Sequence, residues 1–244
     1  FTTATDVYNT AVGFEAGKAV TSGTLNTLIG GLAGDALTDA DENTAVGLGA
    51  LTSDTLGSHT VAIGRGVLET QNFTTATDSN NTAVGTFAGR RVTTGVQNTL
   101  IGGLAGDALT GADSNAVFGM QALTTDTLGS KTTAIGHSAL ATQNFTTATN
   151  TFNVAVGYQA GLSVTTGVNN TFIGGASGDA LTDADHNTAL GFASLSSMTL
   201  GSRNTALGAF SLAAANVTSA ADTYNTGVGY AAGEAVTTGI NNTL

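Results

Sequence analysis

The sequence predicts an all-β protein, a parallel β-solenoid of the β-roll kind. Three observations lead to this prediction. A five-residue motif returns at a fixed short spacing along all 244 residues, which is typical of a solenoid. The repeat is too short for a pair of helices, which needs roughly 30 residues or more. The chain has 34 glycines and no proline, and with its many β-branched residues this favours strands and turns over helices.

The repeat unit is a coil that begins at the motif, first seen as Asn9-Thr10-Ala11-Val12-Gly13. Coils are 17 residues long and every fourth is 21, so the super-repeat is 72 residues. We predict one solenoid domain over 1–244, with super-repeats 9–80, 81–152 and 153–224 and a partial one at 225–244. Phe1, Phe73 and Phe145 mark the same phase. We interpret the chain as an excerpt of a longer array.

Within a coil the motif should form a strand. Counting the motif Asn as position 0, position 4 is Gly in all thirteen complete motifs, position 3 is a large aliphatic residue or Phe, and position 7 is small or β-branched. Positions 1 and 3 would point one way and positions 2 and 4 the other. We expect a Gly-Ala turn, a second short strand and a return loop to follow, and the coils to stack in parallel at about 4.8 Å.

The four coils of a super-repeat differ in their return segments. The third carries Asp54-Thr55-Leu56-Gly57-Ser58, which recurs from Asp126 and, with Met198 in place of the Asp, in the third super-repeat. The fourth carries the four-residue insertion, which begins at Gln71 in the first super-repeat. An insertion into a solenoid usually bulges on one face.

Composition excludes several classes of protein. Charged residues are 9% and hydrophobic residues 41% of the chain, which argues against disorder. The net charge of −11 argues against nucleic acid or an anionic membrane as partner. No apolar run approaches the ~18 residues of a membrane span, so we expect no membrane insertion. Without cysteine there is no disulfide framework.

The motif asparagines form a candidate structural ladder. In a parallel stack each side-chain amide can donate to the carbonyl of the next. The alternative is that these residues only begin strands in turn geometry, and either role is structural. The ladder residues are Asn9, Asn26, Asn43, Asn81, Asn98, Asn115, Asn153, Asn170, Asn187, Asn204, Asn225 and Asn242, with Thr60 and Thr132 at the other two motif starts.

No catalytic or cofactor site is evident, so we expect no enzyme activity. His59, His137 and His186 stand at three different phases of the super-repeat, whereas zinc needs three or four convergent ligands. No Gly-Lys-Ser/Thr follows the glycine-rich stretches, which argues against a phosphate loop. No Ser-His-Asp set stands out from the array.

The acidic return loop is the best candidate for a ligand, namely calcium, which takes six to eight oxygens. The chain lacks the Gly-Gly-x-Gly-x-Asp repeat of calcium-binding β-rolls. The alternative is a solvated acidic stripe. The candidate ligands are Asp35, Asp39, Asp41, Asp107, Asp113, Asp179, Asp183 and Asp185, with Glu42 beside the first three.

Two further sets suggest contacts between chains. His59, Lys131 and Arg203 are spaced by 72 residues and predict a weakly basic stripe that could meet the acidic loops of another copy. Aromatic residues just after the motif Gly are expected on an outer face, where they would mark a chain-chain contact, or half-buried in a turn. These are Phe14, Phe87, Tyr158, Phe192, Phe210 and Tyr230.

The motif also supports a resemblance to a family. Val61-Ala62-Ile63-Gly64 followed by Val67, and Thr133-Ala134-Ile135-Gly136 followed by Ala139, resemble the head repeats of YadA-like trimeric autotransporter adhesins. The Asn-Thr-Ala-Val-Gly arrays are similar to those of phage tail fibres and large bacterial surface proteins. The resemblance implies a left-handed β-roll, three chains side by side, at a cell or virion surface. Coils of 17 and 21 residues are longer than in that family, and a longer coil can close its own core.

The expected function is that of a structural repeat segment in an extracellular fibre, stalk or adhesive filament. The alternatives are a ligand-binding solenoid, for ice, carbohydrate or calcium-dependent adhesion, and the shaft of a phage tail fibre. The expected partners are further copies of the chain, as a trimer or an end-to-end filament, and a host or cell-surface receptor.

Overall fold

The computed structural model describes residues 6–244, so Phe1 lies outside the described residues. Strands, turns and bends make up this range, which contains no helix and thus no helix able to cross a membrane. The all-β parallel solenoid is confirmed. The chain divides into two compact units, Phe1–Asn115 and Ala116–Leu244, and each is described separately. A single domain over 1–244 stays a prediction.

Unit 1 stacks its motif strands in chain order. The strands β1, β2, β3, β5, β7 and β8 pair in parallel in that order, and β4 pairs with β6. Thr10 faces Thr27, which in turn faces Thr44, so each motif position meets the same position in the next coil. The strands are β1 (Thr10–Val12), β2 (Thr27–Ile29), β3 (Thr44–Val46), β4 (Gly57–Ser58), β5 (Val61–Ile63), β6 (Thr77–Asp78), β7 (Thr82–Val84) and β8 (Thr99–Ile101).

Unit 2 repeats the arrangement. The strands β9, β11, β13, β14, β15, β17 and β19 pair in parallel in that order, while β10 pairs with β12 and β16 with β18. A bridge from Thr226 to Thr243 continues the stack. The strands are β9 (Ala116–Phe118), β10 (Gly129–Ser130), β11 (Thr133–Ile135), β12 (Thr149–Asn150), β13 (Val154–Val156), β14 (Thr171–Ile173), β15 (Thr188–Leu190), β16 (Gly201–Ser202), β17 (Thr205–Leu207), β18 (Ala221–Asp222) and β19 (Thr226–Val228).

The predicted alternation within the motif is present. In every motif strand except β1 the central residue is buried, as with Ala45, Leu100 and Phe172, while its two neighbours face outward. Residues at position 7, such as Ala33, are also buried in every coil except the first and last with a complete motif, and so are leucines of the return segment such as Leu37. The core of each unit is therefore a narrow column of mostly small and medium side chains repeated in every coil, with Phe172 the largest that is fully buried.

The second short strand is present in only half of the coils, so the prediction of one per coil was wrong. Two-residue strands pair the third and fourth coils of each super-repeat, as β4 does with β6. Between the first and second coils a side chain takes their place. The Asp41 carboxylate accepts the backbone N–H of Thr24 at 2.7 Å and its hydroxyl at 2.9 Å, which satisfies a donor that a ladder would otherwise use.

The glycine at position 4 is required by the backbone. At these thirteen positions φ lies between +131° and +146°, a region that residues with a Cβ rarely adopt. A Cβ on Gly30 would also lie 2.5 Å from the carbonyl oxygen of Gly47 in the next coil. In addition, 31 described residues other than glycine have positive φ, all at position 6, at position 8 or directly before the motif start.

Candidate functional site

The ladder asparagines join each coil to the next through backbone groups. Asn26 Oδ1 accepts the backbone N–H of Asn43 at 2.9 Å, and Asn26 Nδ2 donates to the carbonyl of Ala40 at 2.7 Å. Thr60 continues the column by donating its backbone N–H to Asn43 Oδ1 at 2.9 Å. The side chain is buried in both bonds. Its main partners are therefore backbone groups, whereas the sequence suggested the amide of the next asparagine.

Direct amide-to-amide bonds supplement this pattern at some steps of the column. In unit 2, Asn204 Nδ2 donates to Asn187 Oδ1 at 3.0 Å and Asn242 Nδ2 to Asn225 Oδ1 at 2.8 Å. The same Oδ1 atoms also accept a backbone N–H from the following coil. Each of these asparagines thus holds two coils together, which is a structural role.

Several calcium candidates accept hydrogen bonds from the preceding coil. Asp113 and Asp185 take backbone N–H groups at 2.8 and 2.7 Å, as Asp41 does. Asp39 and Asp183 accept hydroxyl groups at 2.6 and 2.7 Å. Among residues 6–244 no group of three or more His, Asp or Glu side chains is placed to hold a metal ion. Calcium binding stays a prediction.

The remaining candidates, Asp35, Asp107 and Asp179, share one coil position but differ in surroundings. Asp35 accepts a hydrogen bond from Thr52, and Asp107 lies 3.5 Å from Arg90. Asp179 Oδ1 is buried without a hydrogen-bond partner in the described part of the chain. Burial raises the pKa of Asp179 above its ordinary value, more than two backbone hydrogen bonds lower it. The ionised carboxylate of Asp179 therefore lowers the stability of the folded state.

Two of the three members of the weakly basic stripe, His59 and Arg203, face carboxylates of their own unit, while Lys131 Nζ lies 5.3 Å from the centre of the Phe152 ring. His59 Nδ1 lies 3.1 Å from Asp78 and its Nε2 lies 3.6 Å from Glu42. Arg203 Nε lies 2.9 Å from Asp222. His59 and Arg203 therefore offer less free positive charge to the acidic loops of another copy than Lys131 does, and contact through the stripe stays a prediction.

The outward residues at position 3 form an apolar column in each unit, and we call these residues the outer column. Strand register places each member directly beside the next, as with Ile29 and Val46 or Ile173 and Leu190. Nine of the thirteen side chains are 37–59% exposed and the others are half-buried. The members are Val12, Ile29, Val46, Ile63, Val84 and Ile101 in unit 1, and Phe118, Ile135, Val156, Ile173, Leu190, Leu207 and Val228 in unit 2.

Aromatic residues extend this apolar surface in unit 2. Phe192 contacts Phe210 edge to face, with ring centroids 5.5 Å apart, and Phe210 contacts Tyr230 at 6.0 Å. Tyr158 stacks on His137 at 5.6 Å. Tyr158, Phe192 and Tyr230 are exposed, in agreement with the outer-face interpretation, whereas Phe87 of unit 1 and Phe210 are half-buried.

A buried polar network that sequence reasoning missed occurs at the long coil. In unit 2, Asp126 Oδ1 accepts the backbone N–H groups of Gly129 and Phe145 at 3.1 and 2.9 Å, and its Oδ2 accepts Gln143 Nε2 at 2.6 Å. Gln143 Oε1 in turn accepts Asn153 Nδ2 at 2.9 Å. We call this set the Asp126 network.

Unit 1 holds an equivalent set around Asp54 and Gln71, whose atoms make the matching bonds at 3.1, 3.0 and 2.7 Å. Both side chains are fully buried. The third super-repeat has Met198 and Ala215 at these two positions, and both are buried. One signal could have revealed the network: Asp and Gln occupy a coil position that is apolar in the other coils, such as Leu37.

Comparison of the chain with protein-family models, with curated proteins and with solved structures finds no match. The likeness to adhesin head repeats and tail fibres therefore stays a prediction from the motif. The functional argument depends on the fold and on the surfaces described above.

Proposed function

We propose that this chain is a structural repeat segment of an extracellular fibre, stalk or adhesive filament. In this role it supplies length and stiffness, and it associates with further copies of itself through the outer column. It performs no catalysis and works as a repeated surface.

Stiffness is supported by the way the coils are joined. Neighbouring coils share a parallel strand pair in exact motif register, as Thr171 does with Thr188. They also share the buried asparagine bonds, as where Asn170 Oδ1 accepts the backbone N–H of Asn187 at 2.9 Å. In a solenoid each repeat contacts only its neighbours, so resistance to bending depends on these interfaces.

Self-association is supported by the outer column, the observation that carries the proposal. Isolated exposed aliphatic residues are normal on soluble proteins. A continuous apolar stripe is different, because it marks an interaction surface. Here the large apolar side chain recurs at position 3 in every motif strand of both units, although a strand requires no apolar residue on its solvent face.

The test is sedimentation velocity over a range of protein concentrations. The test variant combines Ile173→Lys, Leu190→Lys and Leu207→Lys. The matched control adds the same charge at three other exposed positions with Thr165→Lys, Ser197→Lys and Ser219→Lys. We expect the parent and the control to sediment as assemblies of several chains and the outer-column variant as single chains.

A parent that sediments as single chains at every concentration would contradict the proposal. So would an outer-column variant that assembles as well as the control. A trimer, as the resemblance implies, and an end-to-end filament would differ in whether assembly stops at three chains or grows with concentration.

The ice-binding and tail-fibre alternatives gain less support. The outer face carries one threonine-rich column at position 1 beside the aliphatic outer column, so it lacks the paired threonine columns expected of an ice-binding face. A tail-fibre shaft would use the same stiffness and self-association, and it differs from the proposal only in the particle that carries the fibre.

A further inference from the structure

The outer face of unit 1 has one break in its repeat. Position 6 carries a side chain in all but two of the described coils, where it is glycine: Gly49 and Gly66. These coils are neighbours, so a notch opens between Leu32 and Phe87, which hold the same position on either side. Leu32 and Phe87 are three coils apart, about 14 Å at the usual strand spacing.

The notch is open space. A Cβ built on Gly49 would meet no atom within 4 Å. On the other side, a Cβ on Gly66 would lie 2.7 Å from the Phe87 ring, so that ring forms the second wall. The cavity volume is about 270 Å³, slightly below the roughly 300 Å³ at which pockets for drug-sized molecules begin. The notch therefore suits a ligand of one or two small rings.

Two opposite charges line this space. Arg65 is exposed, with its guanidinium 5.3 Å from the centre of the Phe87 ring. The Glu69 carboxylate also lines the notch. Within residues 6–244 neither side chain forms an ion pair. Both groups are thus available to a ligand, one as a donor and the other as an acceptor.

The charges limit the ligand class. A net anion at the notch would meet Glu69, and a net cation would meet Arg65. A neutral molecule with an apolar face and a polar rim avoids both costs. A pyranose sugar has this character: its C–H face can pack on the Phe87 ring, and its hydroxyl groups can accept from Arg65 while donating to Glu69.

We propose that the notch between Leu32 and Phe87 binds a neutral pyranose sugar, with Arg65 and Glu69 contacting its hydroxyl groups. The notch lies on an open surface and offers few contacts. The expected dissociation constant for one sugar ring is therefore weak, roughly millimolar, and repetition of the site along an assembly would strengthen attachment.

The test is saturation-transfer difference NMR with the methyl glycosides of glucose, galactose, mannose and N-acetylglucosamine. The blocking variant is Gly49→Leu, which fits the backbone because Leu32 and Leu104 adopt φ of +58° and +59° at the same coil position. The matched control is Ala193→Leu, at that position in unit 2. Arg65→Gln and Glu69→Gln each replace a charged contact by a neutral amide without filling the space.

We expect at least one glycoside to give signals, strongest at ring C–H protons, in the parent and the Ala193→Leu control. Gly49→Leu should abolish them, and each Gln variant should weaken binding roughly tenfold, the loss of one hydrogen bond to a charged group. Absence of signal from all four glycosides, or equal signals in Gly49→Leu, would overturn the inference. The inference would also be overturned if the parent bound no sugar and Gly49→Leu changed the sedimentation, because the notch would then hold a second copy of the chain.

Discussion

The Asp126 network predicts that stability depends on which partner donates and which accepts each buried hydrogen bond. Three hydrogen-bond donors face its carboxylate: two backbone N–H groups and Gln143 Nε2, at 3.1, 2.9 and 2.6 Å. Asp126→Asn keeps the shape but replaces one acceptor oxygen by an NH₂ donor. If the remaining oxygen keeps the backbone bonds, this NH₂ group faces Gln143 Nε2, donor against donor. Gln143 cannot turn its amide without losing the bond from Asn153.

The expected cost follows from this one broken contact. A buried hydrogen bond to a charged group contributes about 1.5–3 kcal/mol, and leaving its donor unsatisfied adds to the loss. We therefore expect Asp126→Asn to lower the local free energy of unfolding by about 2–3 kcal/mol. Gln143→Glu alone should cost more, because it places a second carboxylate against Asp126. Combining both changes restores a donor facing an acceptor, so most of the stability should return.

Hydrogen exchange with mass spectrometry can measure this locally. Amides of residues 126–153 should exchange roughly 30- to 140-fold faster in Asp126→Asn, since ~1.4 kcal/mol is a factor of ten. Residues 54–81 of unit 1 hold the equivalent network and serve as an internal reference. Two results would refute the reasoning: unchanged exchange in Asp126→Asn, or a double variant less protected than the sum of the single changes.

Four further predictions concern single features. In chemical denaturation, Gly174→Ala should destabilise unit 2 by more than ~2 kcal/mol, because φ is +132° and the new Cβ would lie 2.5 Å from the carbonyl oxygen of Gly191. The control Gly175→Ala should be nearly neutral, because the nearest atom to its new Cβ lies at 3.5 Å. Asp179→Asn should raise the Tm at neutral pH and leave it unchanged below pH 3.8. Burial raises the pKa of Asp179 above 3.8, so the folded state loses stability as the pH rises from 3.8 through this higher pKa. Asn170→Ala should cost about 2–4 kcal/mol by stranding a buried backbone N–H and a carbonyl, and Asn170→Thr should cost less; equal losses would count against the ladder. Chelation with EDTA should leave the Tm unchanged, and a fall in Tm would instead support calcium binding by the return loops.

The sequence predicted the motif strands correctly for a physical reason. Position 4 must be glycine because a Cβ there meets a carbonyl of the next coil, and position 2 must suit a narrow core, as Ala45 and Leu100 do. Such constraints act identically in every coil, so they recur as a motif. The structural role of any position that is under the same constraint in all coils can therefore be predicted from a single sequence.

Features that occur once per super-repeat were harder to predict. Asp54 follows a serine and precedes a turn, which is typical of a solvated loop acid, yet it is fully buried. Its burial depends on Gln71, which lies 17 residues away and reaches it across coils. The missing short strands have a similar cause, because Asp41 replaces a backbone acceptor and no local pattern distinguishes such an aspartate from an exposed one.

The notch at Gly49 was missed for the opposite reason. Glycine is so frequent in this chain that turn geometry accounts for it, and a deviation at position 6 is visible only when the coils are aligned. The space then depends on what the neighbouring coils carry, here Leu32 and Phe87. A notch that forms where side chains are absent is therefore hard to predict from amino-acid composition.

The asparagine column also gives the coil stack a direction. Asn153 Oδ1 accepts from the backbone of Asn170, and Asn170 Oδ1 accepts from that of Asn187, so the acceptor always belongs to the earlier coil. A cut between two coils would leave carboxamide oxygens on one new surface and N–H groups on the other. Severed halves could therefore rejoin only head to tail, and a fragment turned end for end would present acceptor to acceptor. A further coil would therefore find matching hydrogen-bond partners on such a surface in one orientation only.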